Sequence, residues 1–227
     1  MRFEGQAIYV TGAGHGIGRA TALRLAAEGG SIAVSDIDGP AAEAVVAEIV
    51  ALGGRAFATI CDVTSRDAVD ASIAETVGRL GKLEVLVNTA GGDWHEPALG
   101  DIPDELFDRK LDLNLTGVFR CVRAALPSLI AAGPGSNVVT IGSINGNWAF
   151  GGYAYSAAKA GLEILTKNLA ARYGSQGVRF NLISPGTIRT RNWTVREDDG
   201  GKRARKYPLG RIGEPEDIAK RHHWWPA

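Results

Sequence analysis

A tyrosine and a lysine one helical turn apart are the residues of this sequence best suited to acid–base chemistry. Tyr155 and Lys159 are the first and last residues of Tyr-Ser-Ala-Ala-Lys, and this i, i+4 spacing places both side chains on one face of a helix. A fixed ammonium group lowers the pKa of a phenol from about 10 toward the working pH, so the tyrosine could exchange a proton with a carbinol or carbonyl oxygen. A packing tyrosine beside a lysine that extends to solvent is the structural alternative.

Two further polar residues are candidates for the same chemistry. Ser143 follows the apolar run at 138–141, so it would lie at the carboxyl edge of a parallel sheet, where ligands of such folds bind. Its hydroxyl group could hold the substrate oxygen. Asn114 falls on the apolar stripe of its helix, where a buried amide needs a partner. A structural bridge to the backbone is the alternative to a catalytic part for Asn114.

The glycine-rich segment at 11–18, Thr-Gly-Ala-Gly-His-Gly-Ile-Gly, predicts a dinucleotide site between a strand and a helix. Its glycines keep side chains away from a ligand, and the helix start offers free N–H groups to a pyrophosphate. Asp36 ends the next apolar run about 20 residues later, where a carboxylate can bind the ribose hydroxyls. That carboxylate would repel a 2′-phosphate, and neither His15 nor Ile37 supplies a fixed positive charge, so we predict NAD. A tight turn without a ligand is the alternative.

Short β-branched runs alternate with helical patterns along the whole chain. The expected strands are at 7–10, 32–36, 56–60, 85–88, 138–141 and 178–183, and the two longest helices are expected at 111–130 and 153–173. Thr64, with Asp67 three residues later, is similar to a capping box that would start the third helix. The alternation predicts an α/β protein with a parallel sheet covered by helices on both faces.

The composition indicates an ordinary soluble chain. With 227 residues, 45% of them hydrophobic, the chain can bury a sizeable core, and we expect one domain over 1–227. Equal numbers of basic and acidic residues, 25 of each, argue against nucleic acid or a membrane surface as partner. We see no membrane span or signal peptide and expect a cytoplasmic protein. Cys61, Cys121 and the pair His222 and His223 lack metal-ligand spacing, so no metal site is expected.

Residues 187–211 differ from the rest, because basic residues surround Trp193 and no hydrophobic period persists. We interpret this segment as a substrate lid, with a solvated loop as the alternative. The residues expected to shape the substrate pocket are Asp93, Trp94, Asn145, Trp148 and Trp193. They combine aromatic and hydrogen-bonding groups, which suits a small polyhydroxy or cyclic substrate better than a long acyl chain.

Together the motifs resemble those of the short-chain dehydrogenase/reductase family over about residues 5–220. The resemblance is carried by the glycine-rich segment, Asp62, Asn88-Thr-Ala-Gly91, Asn114, Ser143, Tyr-Ser-Ala-Ala-Lys at 155–159, and Asn181-Leu-Ile-Ser-Pro-Gly186 with Thr190. It implies a single Rossmann-like, doubly wound parallel sheet and reversible hydride transfer between NAD(H) and a secondary alcohol or ketone. A 3-oxoacyl-thioester reductase remains an alternative within this family. A non-catalytic dinucleotide-binding protein is the alternative from another class.

The resemblance also implies roles for single residues. Tyr155 would be the catalytic acid and base, and Lys159 would lower its pKa and bind the nicotinamide ribose. Ser143 would polarise the substrate carbonyl, and Asn114 would steady a proton-relay water. The residues expected to contact the cofactor are Gly12, His15, Gly16, Ile17, Gly18, Asp36, Asp62, Val63, Asn88, Ala90, Gly91, Tyr155, Lys159, Pro185, Gly186, Ile188 and Thr190.

The sequence departs from the family most clearly at its end. Family members usually continue past a Glu-Pro-Glu-Asp helix start, here at 214–217, into a full helix and a seventh strand, whereas 221–227 reads Arg-His-His-Trp-Trp-Pro-Ala. We therefore expect an atypical tail, a missing C-terminal edge strand and an exposed sheet edge. Small and apolar residues on the helices at 111–130 and 153–173 predict a homodimer or homotetramer through these helices.

Overall fold

The computed structural model describes residues 1–150, 152–190 and 207–220. Trp193, most of the expected lid at 187–211 and the expected tail at 221–227 therefore lie outside the described residues.

One parallel sheet of six strands organises the described chain. In chain order the strands are β1 (Ala7–Thr11), β2 (Ser31–Asp36), β3 (Arg55–Ile60), β4 (Val85–Asn88), β5 (Asn137–Ile141) and β6 (Arg179–Ile183). Their order across the sheet is β3-β2-β1-β4-β5-β6, and each neighbouring pair is parallel. Every residue of β1, β4 and β5 is buried, because helices cover both faces of the sheet.

The helices divide between the two faces of this sheet. They are α1 (Gly16–Ala27), α2 (Gly39–Ala51), α3 (Arg66–Leu80), α4 (Asp104–Leu111), α5 (Gly117–Ala132), α6 (Tyr153–Tyr173) and the short α7 (Pro215–Ala219). On one face α1, α2 and α7 contribute Leu25, Val45 and Ile218 to the core. On the other, α3, α5 and α6 bury side chains such as Val122 and Leu162. The predicted doubly wound α/β fold is confirmed.

The helix predicted over 111–130 starts earlier than predicted and is not regular. Helix α4 leads into a π-helical turn at Asp112–Thr116, and this turn continues directly into α5. Asn114 lies at the middle of the turn and is fully buried. Single π-helical turns inside longer helices occur frequently at functional sites.

Helix α3 has a different cap from the one predicted. Its N-cap is Ser65, whose Oγ accepts a hydrogen bond from the Ala68 N–H at 3.3 Å. Thr64 instead donates its hydroxyl proton to Asp62 Oδ1 over 2.7 Å. The Asp62 carboxylate therefore holds the residue expected to cap the helix, and the cap lies one position later.

Among the described residues, one helical stretch, Asp104–Ala132, is long and apolar enough to cross a membrane by length and composition. Several of its apolar side chains, such as Val118 and Leu129, are instead buried in the core of the protein. Lys110, near its start, is buried in ion pairs with two carboxylates of the same chain. We therefore interpret this stretch as a core helix.

Strands β3 and β6 form the two edges of the sheet. Over the described residues 184–190 and 207–220, no strand is added beside β6. The C-terminal edge strand that we expected to be missing is accordingly not seen in this part of the chain.

Candidate active site

The carboxyl ends of the strands open into a cleft of about 1100 Å³. Gly12 follows β1, Asp36 ends β2, Ile141 ends β5, and Pro185 lies just after β6, so these distant segments meet at one edge of the sheet. The predicted site residues that line the cleft are Gly12, His15, Gly16, Ile17, Gly18, Asp36, Asp62, Val63, Ala90, Gly91, Asp93, Trp94, Ser143, Asn145, Tyr155, Lys159, Pro185, Gly186, Ile188 and Thr190. Of the predicted site residues that the structure describes, three, Asn88, Asn114 and Trp148, do not line it.

The glycine-rich turn forms a backbone cradle at the point where strand order reverses between β1 and β4. Gly12 has φ +59°, and a Cβ there would lie 2.8 Å from the Cα of Ala90. A Cβ at Gly18 would lie 2.1 Å from the carbonyl oxygen of Gly12, so only glycine lets α1 begin this close to the turn. Gly16 has φ +50° and faces Thr190 across the cleft. The cradle fits a pyrophosphate, because α1 has no acidic residue in its first turn to repel one.

Asp36 connects the end of β2 to the glycine-rich turn. Its Oδ2 accepts a hydrogen bond from the Gly14 N–H at 2.8 Å, and its Oδ1 accepts one from the Asp38 N–H at 3.0 Å. His15 Nε2 lies 3.2 Å from Asp38 Oδ2. The carboxylate of Asp36 is thus held in place where a ribose hydroxyl of a bound dinucleotide would come.

Asp62 and Asn88 are placed differently from one another. Asp62 lines the cleft, and its Oδ1 also accepts hydrogen bonds from the N–H and hydroxyl groups of Thr64, at 2.8 and 2.7 Å. Asn88 is buried in β4 and donates from Nδ2 to Thr140 Oγ1 at 3.3 Å. In the described structure its Oδ1 has no hydrogen-bond partner. Asn88 therefore lies behind the lining of the cleft, and the predicted direct cofactor contact is not supported by its position.

Ser143, Tyr155 and Lys159 meet at the centre of the cleft. Ser143 Oγ accepts a hydrogen bond from the Asn145 N–H at 3.2 Å, and its side chain also hydrogen-bonds to Tyr155. Lys159 Nζ lies 5.5 Å from the centroid of the Tyr155 ring and donates to the carbonyl oxygen of Ile141 at 2.9 Å. The predicted shared face of one helix therefore places both side chains in the cleft that Ser143 also lines.

The pKa values at this centre differ from the sequence-based expectation. Burial raises the pKa of the Tyr155 hydroxyl, the hydrogen bond with Ser143 opposes this effect, and the charge of Asp93 adds to it. Burial also lowers the pKa of Lys159 to about 8. Lys159 is not among the groups that shift the Tyr155 pKa in this structure, so the lowering of that pKa by Lys159 stays a prediction.

Asn114 acts as a bridge between backbone segments. Its Nδ2 donates to the carbonyl oxygens of Gly92, at 2.9 Å, and Lys110, at 3.0 Å, while its Oδ1 accepts from the Gly92 N–H at 3.0 Å. A Cβ at Gly91 would lie 2.8 Å from that Oδ1. These contacts correspond to the structural alternative of the sequence analysis, and they hold the loop after β4 against the π-helical turn.

The expected substrate residues are only partly brought together. Asp93, Trp94 and Asn145 line the cleft. Trp148 does not, because its side chain lies at the surface and is 68% exposed. A substrate contact by Trp148 stays a prediction that this position does not support, since polar and aromatic character near a strand end cannot indicate which way a side chain points.

Several cleft residues were missed by the sequence analysis. Arg109 and Phe150 line the cleft and were not predicted. Thr187 and Tyr207 also line it, with their hydroxyl groups hydrogen-bonded to each other, and they belong to the segment predicted as a lid at 187–211. Lys110, which braces the cleft from behind, was also missed. A usable signal existed for Lys110, because it lies four residues before Asn114 and so shares its buried helix face.

Comparisons with known proteins agree with this arrangement. The model of a family described as Enoyl-(Acyl carrier protein) reductase matches residues 12–224. The cyclohexanol dehydrogenase of Acinetobacter sp. (strain SE19) is 36% identical over 221 residues, which cover 96% of this chain and 86% of that protein. A 3-oxoacyl-[acyl-carrier-protein] reductase of Synechocystis sp. is 40% identical over 217 residues, which cover 94% and 86% of the two chains.

Comparison with solved structures agrees with the sequence comparisons. A solved structure of 7 alpha-hydroxysteroid dehydrogenase, complexed with NADH and 7-oxo glycochenodeoxycholic acid, superposes with a TM-score of 0.90 at 34% sequence identity. The superposition covers 96% of this chain and 86% of the 7 alpha-hydroxysteroid dehydrogenase chain. Because the family match spans most of the sequence and full-length relatives share more than a third of its residues, the chain is an oxidoreductase that belongs to the short-chain dehydrogenase/reductase family.

Proposed function

We propose that this protein transfers a hydride reversibly between NAD(H) and a secondary alcohol or ketone of a small polar or cyclic substrate. One observation carries the proposal: Tyr155, Lys159 and Ser143 line the same cleft as the glycine-rich turn and Asp36. An acid–base group and a dinucleotide cradle in one cleft are what this reaction requires. The relatives named as dehydrogenases and as a reductase support the same reaction class.

The residues that line the cleft suit the adenosine, pyrophosphate and nicotinamide parts of NAD(H). The pyrophosphate would lie at the N-terminus of α1, where Gly12 and Gly16 leave open backbone, and Asp36 would accept hydrogen bonds from the adenosine ribose. Residues that would hold the nicotinamide side are Lys159, Pro185, Gly186, Ile188 and Thr190. The relative whose structure contains NADH supports this assignment. When bound, NAD(H) supplies the group that accepts or donates the hydride.

Tyr155 moves the proton in this proposal. Its hydroxyl group protonates the substrate oxygen during ketone reduction, which leaves the phenolate, and the phenolate accepts the proton during alcohol oxidation. Ser143, hydrogen-bonded to Tyr155, donates a hydrogen bond to the substrate oxygen and keeps its own proton, and so orients the carbonyl group. We keep the predicted lowering of the Tyr155 pKa by Lys159 as part of this proposal, with Lys159 Nζ 5.5 Å from the centroid of the Tyr155 ring.

Asn114 contributes by holding Gly92 and the backbone of Lys110. A proton-relay water at Asn114 stays a prediction without support from these contacts, because its amide nitrogen and oxygen are used by backbone groups. Direct cofactor binding by Asn88 stays a prediction in the same way, although its unpartnered Oδ1 would be satisfied by any donor that approaches β4.

The lining of the substrate end favours a compact substrate. Trp94, Phe150 and Tyr207 supply aromatic surface, and Asn145 and Arg109 supply polar groups. This mixture suits a ring that carries a hydroxyl or keto group, as the name of the cyclohexanol dehydrogenase relative suggests. The 3-oxoacyl-thioester reductase alternative is supported by the relative that bears that name. A non-catalytic dinucleotide-binding protein is the alternative outside enzymes.

A substrate panel read by NADH absorbance tests the proposal. The panel contains cyclic alcohols and ketones, polyols and sugars, hydroxysteroids and 3-oxoacyl thioesters. We expect turnover of cyclic or small polar substrates with NAD(H). Turnover of only 3-oxoacyl thioesters would favour that alternative. Quenching of NADH fluorescence without turnover of any panel member would favour the non-catalytic alternative.

The remaining predictions concern the whole protein. We propose one domain over 1–227, a cytoplasmic location, and a homodimer or homotetramer through the helices at 111–130 and 153–173. A small-molecule substrate as partner agrees with the names of the relatives. The absence of nucleic acid, membrane and metal partners stays a prediction from composition.

A further inference from the structure

A buried lysine that lies outside the proposed proton path holds the loop after β4. Lys110, near the end of α4, is fully buried. Its ammonium group donates three hydrogen bonds, to Asp93 Oδ1 at 2.7 Å, to the carbonyl oxygen of Trp94 at 2.6 Å and to Glu96 Oε1 at 2.8 Å. An ammonium group has three donors, so every donor of this buried charge is used on one loop.

That loop has little else to define its shape. Across the described residues 90–97 there is no helix, no strand and no backbone-to-backbone hydrogen bond. Gly92 is held by Asn114, whose Nδ2 also hydrogen-bonds to the Lys110 carbonyl oxygen. The side chain of Lys110 and its backbone therefore both take part in fixing the segment that supplies Asp93 and Trp94 to the cleft.

Glu96 extends this connection to the helix that carries Tyr155. Its Oε2 accepts a hydrogen bond from the N–H of Tyr153 at 2.6 Å, and Tyr153 is the first residue of α6. The N-cap, Gly152, has no side chain that could satisfy the first N–H groups, so Glu96 supplies the carboxylate that a helix start favours. Burial opposes ionisation of Glu96, but Lys110 and the Tyr153 N–H outweigh burial and lower its pKa.

We propose that Lys110 is a positioning residue for the reaction, which acts through Asp93 and Glu96 to fix the substrate loop and the first turn of α6. The proposal rests on the proposed function, because the alignment in question is that of Tyr155 with a substrate oxygen. Without the ammonium group, the two carboxylates would lose their buried counter-ion and the loop would separate from α6. A displacement of reacting groups by about 1 Å can lower the rate by about a hundredfold.

Three variants and one control test this role. Lys110→Met keeps the length of the side chain without its charge, and Glu96→Ala removes the link to α6 while Lys110 keeps Asp93 and the Trp94 carbonyl oxygen. The double variant, Lys110→Met with Glu96→Ala, completes a double-mutant cycle. Lys82→Met is the control, because it breaks an ion pair with Glu84 of 3.0 Å that lies outside the cleft.

We expect Lys110→Met and Glu96→Ala each to lower kcat/KM for the best panel substrate by about 30- to 100-fold, mainly through kcat. The Kd for NADH should stay within about threefold of the wild-type value, since cofactor contacts are made elsewhere. The double variant should be no slower than the slower single variant, because both changes break one connection. Lys82→Met should match the wild type.

Hydrogen exchange of the backbone amides at 153–154 provides a readout that does not depend on turnover. We expect exchange at least about tenfold faster in both variants and unchanged in Lys82→Met. A kcat/KM within about threefold of wild type in both variants, additive losses, or unchanged exchange would each overturn the proposal. A parallel loss of thermal stability, NADH binding and rate would also overturn it, in favour of a general structural role.

If Lys110→Met does not fold, the kcat/KM and the amide exchange of Glu96→Ala test the proposal. A wild type that binds NADH but turns over no panel member refutes the proposed function, and the exchange data still decide the link from Lys110 to α6.

Discussion

Lys159 donates a hydrogen bond from its ammonium group to the carbonyl oxygen of Ile141 over 2.9 Å. Ile141 ends β5, two residues before Ser143, so the bond ties helix α6 to the strand that leads to the candidate active site. Lys159 is only 6% exposed, and burial lowers its pKa from 10.5 to about 8. The charge of this side chain therefore changes within an accessible range of pH.

A stability measurement against pH tests this shift. Between about pH 8 and 10.5 the unfolded chain binds a proton on Lys159 that the folded chain has released, so this group makes the protein more stable as pH rises. Lys159→Met removes the buried charge and should be more stable than wild type near pH 7, by about 1–3 kcal/mol. The difference should shrink toward pH 10. Urea unfolding at several pH values measures this difference in the free energy of unfolding. A variant less stable than wild type near pH 7 would contradict the lowered pKa of Lys159.

Replacing the proposed acid–base group tests the chemistry directly. Tyr155→Phe removes the transferable proton but keeps the ring, so kcat should fall by about a hundredfold or more while NADH binding and the fold remain. Tyr153→Phe is the matched control, because that side chain lies two residues earlier and is 54% exposed. Steady-state rates and NADH fluorescence give both quantities. A Tyr155→Phe rate close to that of wild type would exclude Tyr155 from the role.

Cofactor choice should depend on the charge of Asp36. Asp36→Asn keeps an acceptor for the Gly14 N–H but removes the repulsion of a 2′-phosphate, so the ratio of kcat/KM for NADPH to that for NADH should rise by about 10- to 100-fold. Asp38→Asn is the control, since it keeps the cap of α2 formed with the Ala41 N–H. Rates with both cofactors on one ketone measure the ratio. A wild type that already prefers NADPH would contradict the assignment.

Two glycine substitutions separate close packing from intrinsic helix preference. A Cβ at Gly18 would lie 2.1 Å from the Gly12 carbonyl oxygen, so Gly18→Ala should lower the free energy of unfolding by about 2–3 kcal/mol and abolish cofactor binding. Gly78 lies in α3, and a methyl group added there would meet no neighbouring atom within 4 Å, so Gly78→Ala should raise stability by about 0.5–1 kcal/mol. Thermal unfolding compares them. Equal changes in stability for the two variants would show that the tight packing of Gly18 against Gly12 does not determine the effect of the added methyl group.

Assembly is the last prediction. Ala154 and Ala158 of α6 are used inside the subunit, and Gly161 makes room for Leu115, so these small residues do not by themselves indicate a partner. Phe119 on α5 and Ile164 on α6 remain 45% and 58% exposed, which favours a dimer through these helices.

Light scattering at micromolar concentration measures this state. We expect a dimer or tetramer for wild type, and a monomer that still binds NADH for the Phe119→Glu, Ile164→Glu double variant. Leu209→Glu, at a side chain that is 82% exposed, is the control. A monomeric wild type with normal cofactor binding would contradict the predicted interface.

The sequence by itself determined the features that depend on local spacing. Alternating strand and helix periods predicted the parallel sheet, the glycine pattern predicted the turn at Gly12 and Gly18, and the i, i+4 spacing predicted that Tyr155 and Lys159 share a helix face. These features depend on backbone geometry over a few residues, and the structure has each of them.

Only the tertiary structure decided which partner each polar group meets. The amide of Asn114 bonds to Gly92 and Lys110, and the ammonium group of Lys159 points to the Ile141 carbonyl oxygen. Trp148 lies at the surface instead of in the cleft. These outcomes depend on distances between elements far apart in the chain and on local burial, which sets the pKa of a charged group. Spacing along the sequence contains neither quantity. It could place Lys110 on the helix face of Asn114, but only the folded chain shows that its ammonium group meets Asp93, Trp94 and Glu96.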